Sequence, residues 1–292
     1  MAKLTGLFRK QRGSIGDVTF RQLKGQTVTS EKATSVAQPR TLAQMLRRVV
    51  WRNVQNFWSS TNNVLHPSFE SIPRTWSDYN AFMSANVSRT GVYLPADIAR
   101  QGGCLVAPYQ VTRGSLPSIG MGTNPSGVII SDLKVGSLVI NDETTVAAFS
   151  AAIKANNSGW QYGDQLSVII AIQKVNTVTQ VPYVEMTASE ITLSEDSETL
   201  FVDLIADSRG FNVADQKLGL NAAINGGAVY IHSRKEGSKT RVSTQFMTVT
   251  NDMLADYTSE TARATAITSY GGKVSNEFLT PNLDETEVPV NP

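Results

Sequence analysis

One cysteine and two histidines among 292 residues remove several chemistries at once. With Cys104 alone, no internal disulfide and no multi-cysteine metal site can form. Nucleophilic catalysis needs a base, and histidine offers only His66, in the loop-like "VLHPSF", and His232, in the strand-like "AVYIHSRK". Cys104 lies in an apolar run and reads as a small buried hydrophobe rather than half of a Cys-His pair. No apolar run reaches the roughly 18 to 20 residues that cross a bilayer. The opening "MAKLTGLFRKQRG" lacks the apolar core of a signal peptide. The expectation is a chain without a membrane partner, working in a reducing cytoplasm or in particles assembled there.

Charge is also scarce, at 17% of residues against 41% hydrophobic. Ser, Thr, Asn and Gln fill the gap, and such groups cost less to desolvate than charges, which suits β-rich surfaces and surfaces covered by neighbours. Cofactor motifs are missing too. "EGSKT" (Glu236 to Thr240) has a Lys-Thr pair, but Ser238 separates Gly237 from Lys239 and the flanks are strand-like, so it reads as a hairpin turn rather than a phosphate loop. "GSLPSIGMGTNPSG" is glycine-rich without a lysine and reads as a loop. Glu195, Asp196 and Glu198 in "SEDSETLFVD" miss the spacing of a calcium loop and read as a polar hairpin turn. No cofactor, metal site or catalytic set is expected. The chain is read as a non-enzyme.

What is present is an uneven distribution of charge. Up to Arg52 the chain holds eleven basic residues and two acidic ones, a net +9, which leaves fifteen basic against twenty-three acidic in the remainder, a net −8. A cationic end suits an anionic surface, whether nucleic acid, membrane or the acidic body of a neighbouring copy. Within it, "DVTFRQL" alternates Val18 and Phe20 against Thr19 and Arg21, and Lys24-Gly25 then leads into "QTVTS". That pattern predicts a β-hairpin, so residues 1–40 are expected to form a partly ordered basic arm.

In "RTLAQMLRRVVWRNVQNFWSS", Thr41 and Gln44 match a capping box ahead of an apolar stripe at Leu42, Met45, Leu46, Val49, Val50, Val54, Phe57 and Trp58. Trp51 and Trp58, in or next to that stripe, are expected to pack in the helical cluster rather than stack on bases. "TWSDYNAFMSANVS" offers a second helix with Thr75 as its cap, making residues 41–100 a helical cluster. From 101 to 250 short runs such as "CLVAPYQVT", "GVIIS", "GSLVI", "QLSVIIAIQ", "VPYVEMT", "TLFVDLI" and "GAVYIHS" predict strands. "DETTVAAFSAAIKAN" interrupts them as a helix with Val146, Phe149 and Ile153 on one face. The fold class is mainly β within α+β: a hairpin arm, a helical cluster, an immunoglobulin-like β-sandwich and a C-terminal extension over 251–292. That extension starts as a helix and ends in the acidic, proline-containing "LTPNLDETEVPVNP", which is either unstructured or ordered only on a neighbour.

The order of "RKQRGSIGDVTFRQLKGQTVT", "RTLAQMLRRVVWRNVQNFW", "YNAFMSANV", "YQVTRGSLPSI" and "GGAVYIHSRKEGSKTRVSTQF" resembles a family of uncharacterised proteins from gut Bacteroidetes and their phages and prophages. The resemblance runs from about Gly13 to Thr248, and "RVSTQ" stands where the family has a serine-flanked end. The family has no assigned activity, so nothing catalytic passes to Arg113, Gly114 or Ser115. The resemblance implies a phage virion component. Together with the charge asymmetry it predicts a capsid-associated or head–tail connector protein, assembling with copies of itself and other virion proteins. Its interaction residues would be Arg9, Lys10, Arg12, Arg21, Lys24, Arg47 and Arg48. The alternatives are a nucleic-acid-binding packaging protein using the same cations, and a carbohydrate- or surface-binding module using Trp160 and Tyr162.

Overall fold

The computed structural model describes residues 2–4, 12–23, 26–32, 41–61, 69–73, 75–205 and 211–271. Arg9, Lys10, the Lys24-Gly25 turn, His66 and the stretch 272–292 lie outside them. The chain divides into two units, whose described parts are residues 2–32 and 41–271.

In the first unit, β1 (Ala2–Leu4), β2 (Gly13–Ile15), β3 (Val18–Leu23) and β4 (Gln26–Glu31) form an antiparallel sheet in the order β1-β4-β3-β2. β3 and β4 pair from Val18↔Glu31 to Leu23↔Gln26, as the alternation predicts. β2 joins β3 through a tight turn at Gly16-Asp17, where the φ of +57° at Gly16 favours a residue without a Cβ. Among the described side chains of this unit only Thr27 is buried.

The second unit opens with α1 (Leu42–Thr61), α2 (Asp78–Asn86) and α3 (Ala96–Arg100). The N–H of Gln44 donates to Thr41 Oγ1 at 3.4 Å, so Thr41 caps α1 as expected. For α2 the cap is Ser77, not Thr75: the N–H of Asn80 donates to Ser77 Oγ, while Trp76 is held in a turn by Pro73 and the helix starts later.

Three short strands follow, β5 (Gln110–Thr112), β6 (Met121–Thr123) and β7 (Ile129–Lys134), and then α4 (Val146–Asn156), capped by Thr145. Two long strands, β8 (Gln165–Val175) and β9 (Pro182–Thr192), precede β10 (Asn212–Ala214), β11 (Lys217–Gly219), a third long strand β12 (Gly226–Glu236) and β13 (Lys239–Val242). β14 (Gln245–Phe246), β15 (Thr248–Val249), α5 (Leu254–Thr258) and α6 (Glu260–Ser269) complete the unit.

Its centre is the antiparallel sheet β13-β12-β8-β9, with β15 also on β12. The run "LSVIIAI" in β8 is apolar on both sides because both faces of this sheet are covered. Leu166, Val168 and Ile170, with Ala228 and Tyr230 of β12, enter the second of two cores, closed by Val146, Phe149 and Ile153 of α4 and by the sheet β10-β11-β7-β6. Ile169 and Ala171, with Val229 and Ile231, enter the other, closed by Val54, Phe57 and Trp58 of α1 and Phe82 of α2. There the Phe57 and Tyr109 rings stack at 4.1 Å. The fold is α+β with several antiparallel sheets, and the helices of 41–100 share a core with the strands beyond them.

Several expected strands take other forms. "GSLVI" is a turn followed by irregular chain, with Val139 exposed, and "TLFVDLI" contains a 3-10 turn at Phe201–Leu204. Both supply apolar anchors to the second core through Leu138, Ile140 and Phe201, and the latter segment adds only an isolated antiparallel bridge between Leu200 and Thr145. Glu195, Asp196 and Glu198 occupy an exposed bend rather than a hairpin; nearby carbonyls of Ser197 and Thr199 accept from the first N–H groups of α4. In "CLVAPYQVT" only Gln110–Thr112 is strand. Residues 103–107 are buried without a ladder, and side-chain amides satisfy their backbone. Asn56 Nδ2 donates to the Gly103 carbonyl, the N–H of Leu105 donates to Asn53 Oδ1, and Asn251 Nδ2 donates to the Val106 carbonyl. Gln173 accepts from the N–H of Val106 at 2.8 Å and donates to the carbonyls of Cys104 and Tyr183.

Candidate interaction site

Of the seven cations singled out from the sequence, Arg12 and Arg21 are exposed on the sheet unit, and Arg47 and Arg48 are exposed on α1. Arg9, Lys10 and Lys24 lie outside the described residues. The helical register explains the exposure of Arg47 and Arg48: they fall between the buried positions Met45 and Val49, on the face turned from the core.

Trp58 packs in the helical cluster as expected, whereas Trp51 stays at its surface. Trp58 is buried and meets Phe82 at 5.1 Å, whereas Trp51, at the edge of the stripe about a third of a turn from its centre, is 38% exposed. Trp76, just ahead of the Ser77 cap, is 41% exposed. These two indoles and Arg47 line an open groove of about 550 Å³ between α1 and the start of α2, floored by Met83 and Val87. The other described lining residues are Thr75, Asn80 and small serines, and no carboxylate is among them. Such a surface offers aromatic faces and one cation to an extended, anionic chain. Spacing leaves Trp51 at the edge of the stripe, about 20° from the buried Trp58, so its exposure was not legible in the sequence, and that of Trp76 depends on where α2 begins.

The densest set of ionisable groups among the described residues lies elsewhere. Asp164, at the mouth of β8, is fully buried and accepts from His232 Nε2 at 2.8 Å and from Arg234 Nε at 2.6 Å. Arg234 also donates to Asp164 Oδ2 and to the Gly159 carbonyl. Trp160 stacks on His232 with ring centroids 3.8 Å apart. Burial alone would raise the Asp164 carboxyl, but hydrogen bonds from Arg234, the Gln161 N–H and His232 outweigh it and hold it below its ordinary value. Burial pushes His232 down, against the upward pull of Asp164. The cluster places no nucleophile beside the imidazole, so it reads as a buried polar brace between β8 and β12. It was hidden from the sequence because Asp164 is 68 residues from His232.

Burial pushes the Cys104 thiol up to about 11, with Ser60 Oγ at 3.8 Å as its side-chain neighbour, which leaves it a thiol at neutral pH. Trp160 is engaged by His232, and Tyr162 lies under Lys154 Nζ at 4.0 Å. "EGSKT" is the turn joining β12 and β13, with Gly237 at φ +60°. Glu70 accepts from the Ser115 N–H at 3.1 Å and from the Val242 N–H, so the backbone around Gly114 and Ser115 belongs to a structural clasp. No helix among the described residues is long and apolar enough to cross a membrane. No protein-family model, curated protein or solved structure matches the chain.

Proposed function

We propose that this chain is a non-enzymatic structural protein of a bacteriophage particle, capsid-associated or in the head–tail connector, whose copies are held together by the cationic arm. One observation carries the reading: the sheet β1 to β4, drawn from the +9 end of the chain, buries only Thr27 among its described side chains. A sheet this small, with one buried side chain among those described, is marginal in water. Ile15 at 69% and Val18 at 40% exposure leave apolar surface to be covered. Edge strands β1 and β2 suit strand addition, which satisfies backbone groups of both partners. The −8 remainder of a neighbouring copy is the complementary surface. The family resemblance supplies the phage setting: a virion protein assembled in the host cytoplasm, with other virion proteins as partners. In this reading the two sheets around the second core are the sandwich body, immunoglobulin-like in layering antiparallel sheets, that carries the arm.

Deleting residues 1–35 is expected to shift size-exclusion elution from an assembly to a monomer, and an unchanged elution volume would sink the reading. Exposed Arg12 and Arg21 also support the nucleic-acid reading. If six or more cations of the arm meet phosphates, filter-binding affinity falls by about a thousandfold between 50 and 200 mM salt; a flat response removes that reading.

A further inference from the structure

We propose that the groove between α1 and α2 takes the acidic, proline-containing stretch 276–292 of a second copy, an inference that rests on the assembly reading above. The groove supplies the half-exposed indoles of Trp51 and Trp76, the exposed Arg47 and no carboxylate among its described lining residues. The stretch supplies the complement. It holds Glu277, Asp284, Glu285 and Glu287 and no basic residue. It ends in Pro289-Val290-Asn291-Pro292, a P-x-x-P sequence, and such sequences dock aromatic-lined grooves in the polyproline II form. With about three residues per turn in that form, Leu283, Pro289 and Pro292 share one face and the carboxylates of Asp284, Glu285 and Glu287 flank it. The apolar face meets the indoles, and the flanking carboxylates meet Arg47, with Arg48 one residue further along α1. The occupant is a second copy because the −8 body and the +9 arm already favour contacts between copies over contacts with an unrelated acidic partner.

The test has two arms, both on the full chain. In the first, sedimentation equilibrium compares the unsubstituted chain, Arg47→Glu, and Arg47→Glu combined with Glu285→Arg and Glu287→Arg. Reversing one exposed charge is expected to weaken self-association by about fivefold, and the charge-swapped chain to recover most of it. An Arg47→Glu chain that associates like the unsubstituted one, or a swapped chain that recovers nothing, overturns the proposal. In the second arm a synthetic peptide of residues 276–292 is titrated into the full chain while tryptophan emission is followed. A saturable shift that is lost in Trp76→Ala and weakened in Arg47→Glu supports it; no shift, or a shift indifferent to both substitutions, overturns it. The two readings fail separately. An assembly that depends on residues 1–35 but ignores the peptide overturns the groove proposal alone, whereas a monomer that binds the peptide overturns the assembly reading and the second copy as occupant.

Discussion

Replacing Asp164 with alanine is expected to lower the stability of the second unit by about 3 kcal/mol, read as a fall in the urea midpoint at constant slope. The carboxylate is fully buried and serves His232 and Arg234 together, so its loss strands a buried imidazole and a guanidinium whose side chain is only 18% exposed. The partial exposure of Arg234 places the expected cost at the lower end of the range for breaking a buried pair. By contrast the Glu236–Arg241 pair, about half exposed on both sides, is expected to contribute less than about 1 kcal/mol. The same cluster sets an acid dependence. His232 titrates in the folded chain below its ordinary 6.5, so its neutral form contributes in full above that pH and the contribution is lost as pH falls below it. Asp164 titrates below its ordinary 3.8, so a second contribution is lost as pH falls through that region and beyond. The midpoint of the unsubstituted chain should therefore decline in two stages on acidification, and the lower stage should vanish in Asp164→Ala. A midpoint as low-lying and as steep in acid for both chains would contradict the assignment.

Gln173→Leu is expected to cost at least about 3 kcal/mol although it adds apolar volume. The amide accepts from the Val106 N–H and from Asn251 Nδ2, and it donates to the carbonyls of Cys104 and Tyr183. A leucine of similar size leaves those buried groups without that partner, and each unsatisfied group costs about 1 to 3 kcal/mol. Gln161→Leu, at an exposed position ahead of β8, should change stability by no more than about 0.5 kcal/mol. Equal midpoint shifts for the two substitutions would show that the amide does not pin the 103–107 segment.

These two sites also mark what the sequence could and could not tell. Local rules were sufficient for α1, where the Thr41 cap and the stripe from Met45 to Trp58 follow from the helical period, and for α4, where Val146, Phe149 and Ile153 are buried on one face. They were sufficient for the pairing of β3 with β4 and for the Gly237 turn. Short apolar runs were not decided locally. "GSLVI" and "TLFVDLI" have the composition of strands, yet their apolar residues serve as anchors for loops on the second core. The run at 103–107 is buried like a strand, but its partners are amides at positions 53, 56, 173 and 251, which no periodicity links to it. Part of the uncharged polar composition that suggested covered surfaces is spent inside the second unit. In the groove, Trp51 sits at the edge of the α1 stripe, so its exposure depends on what packs there, and its meeting with Trp76 depends on the Ser77 cap and on the packing of two helices.

The central claim is that copies of this chain assemble through the arm, and its most direct measurement is the mass of the full chain by sedimentation equilibrium, taken across a wide concentration range beside the chain lacking residues 1–35. The account predicts a discrete multiple of the 31.6 kDa chain for the first and a monomer for the second. A full chain that stays monomeric at every concentration, or a truncated chain that keeps the multiple, would contradict it.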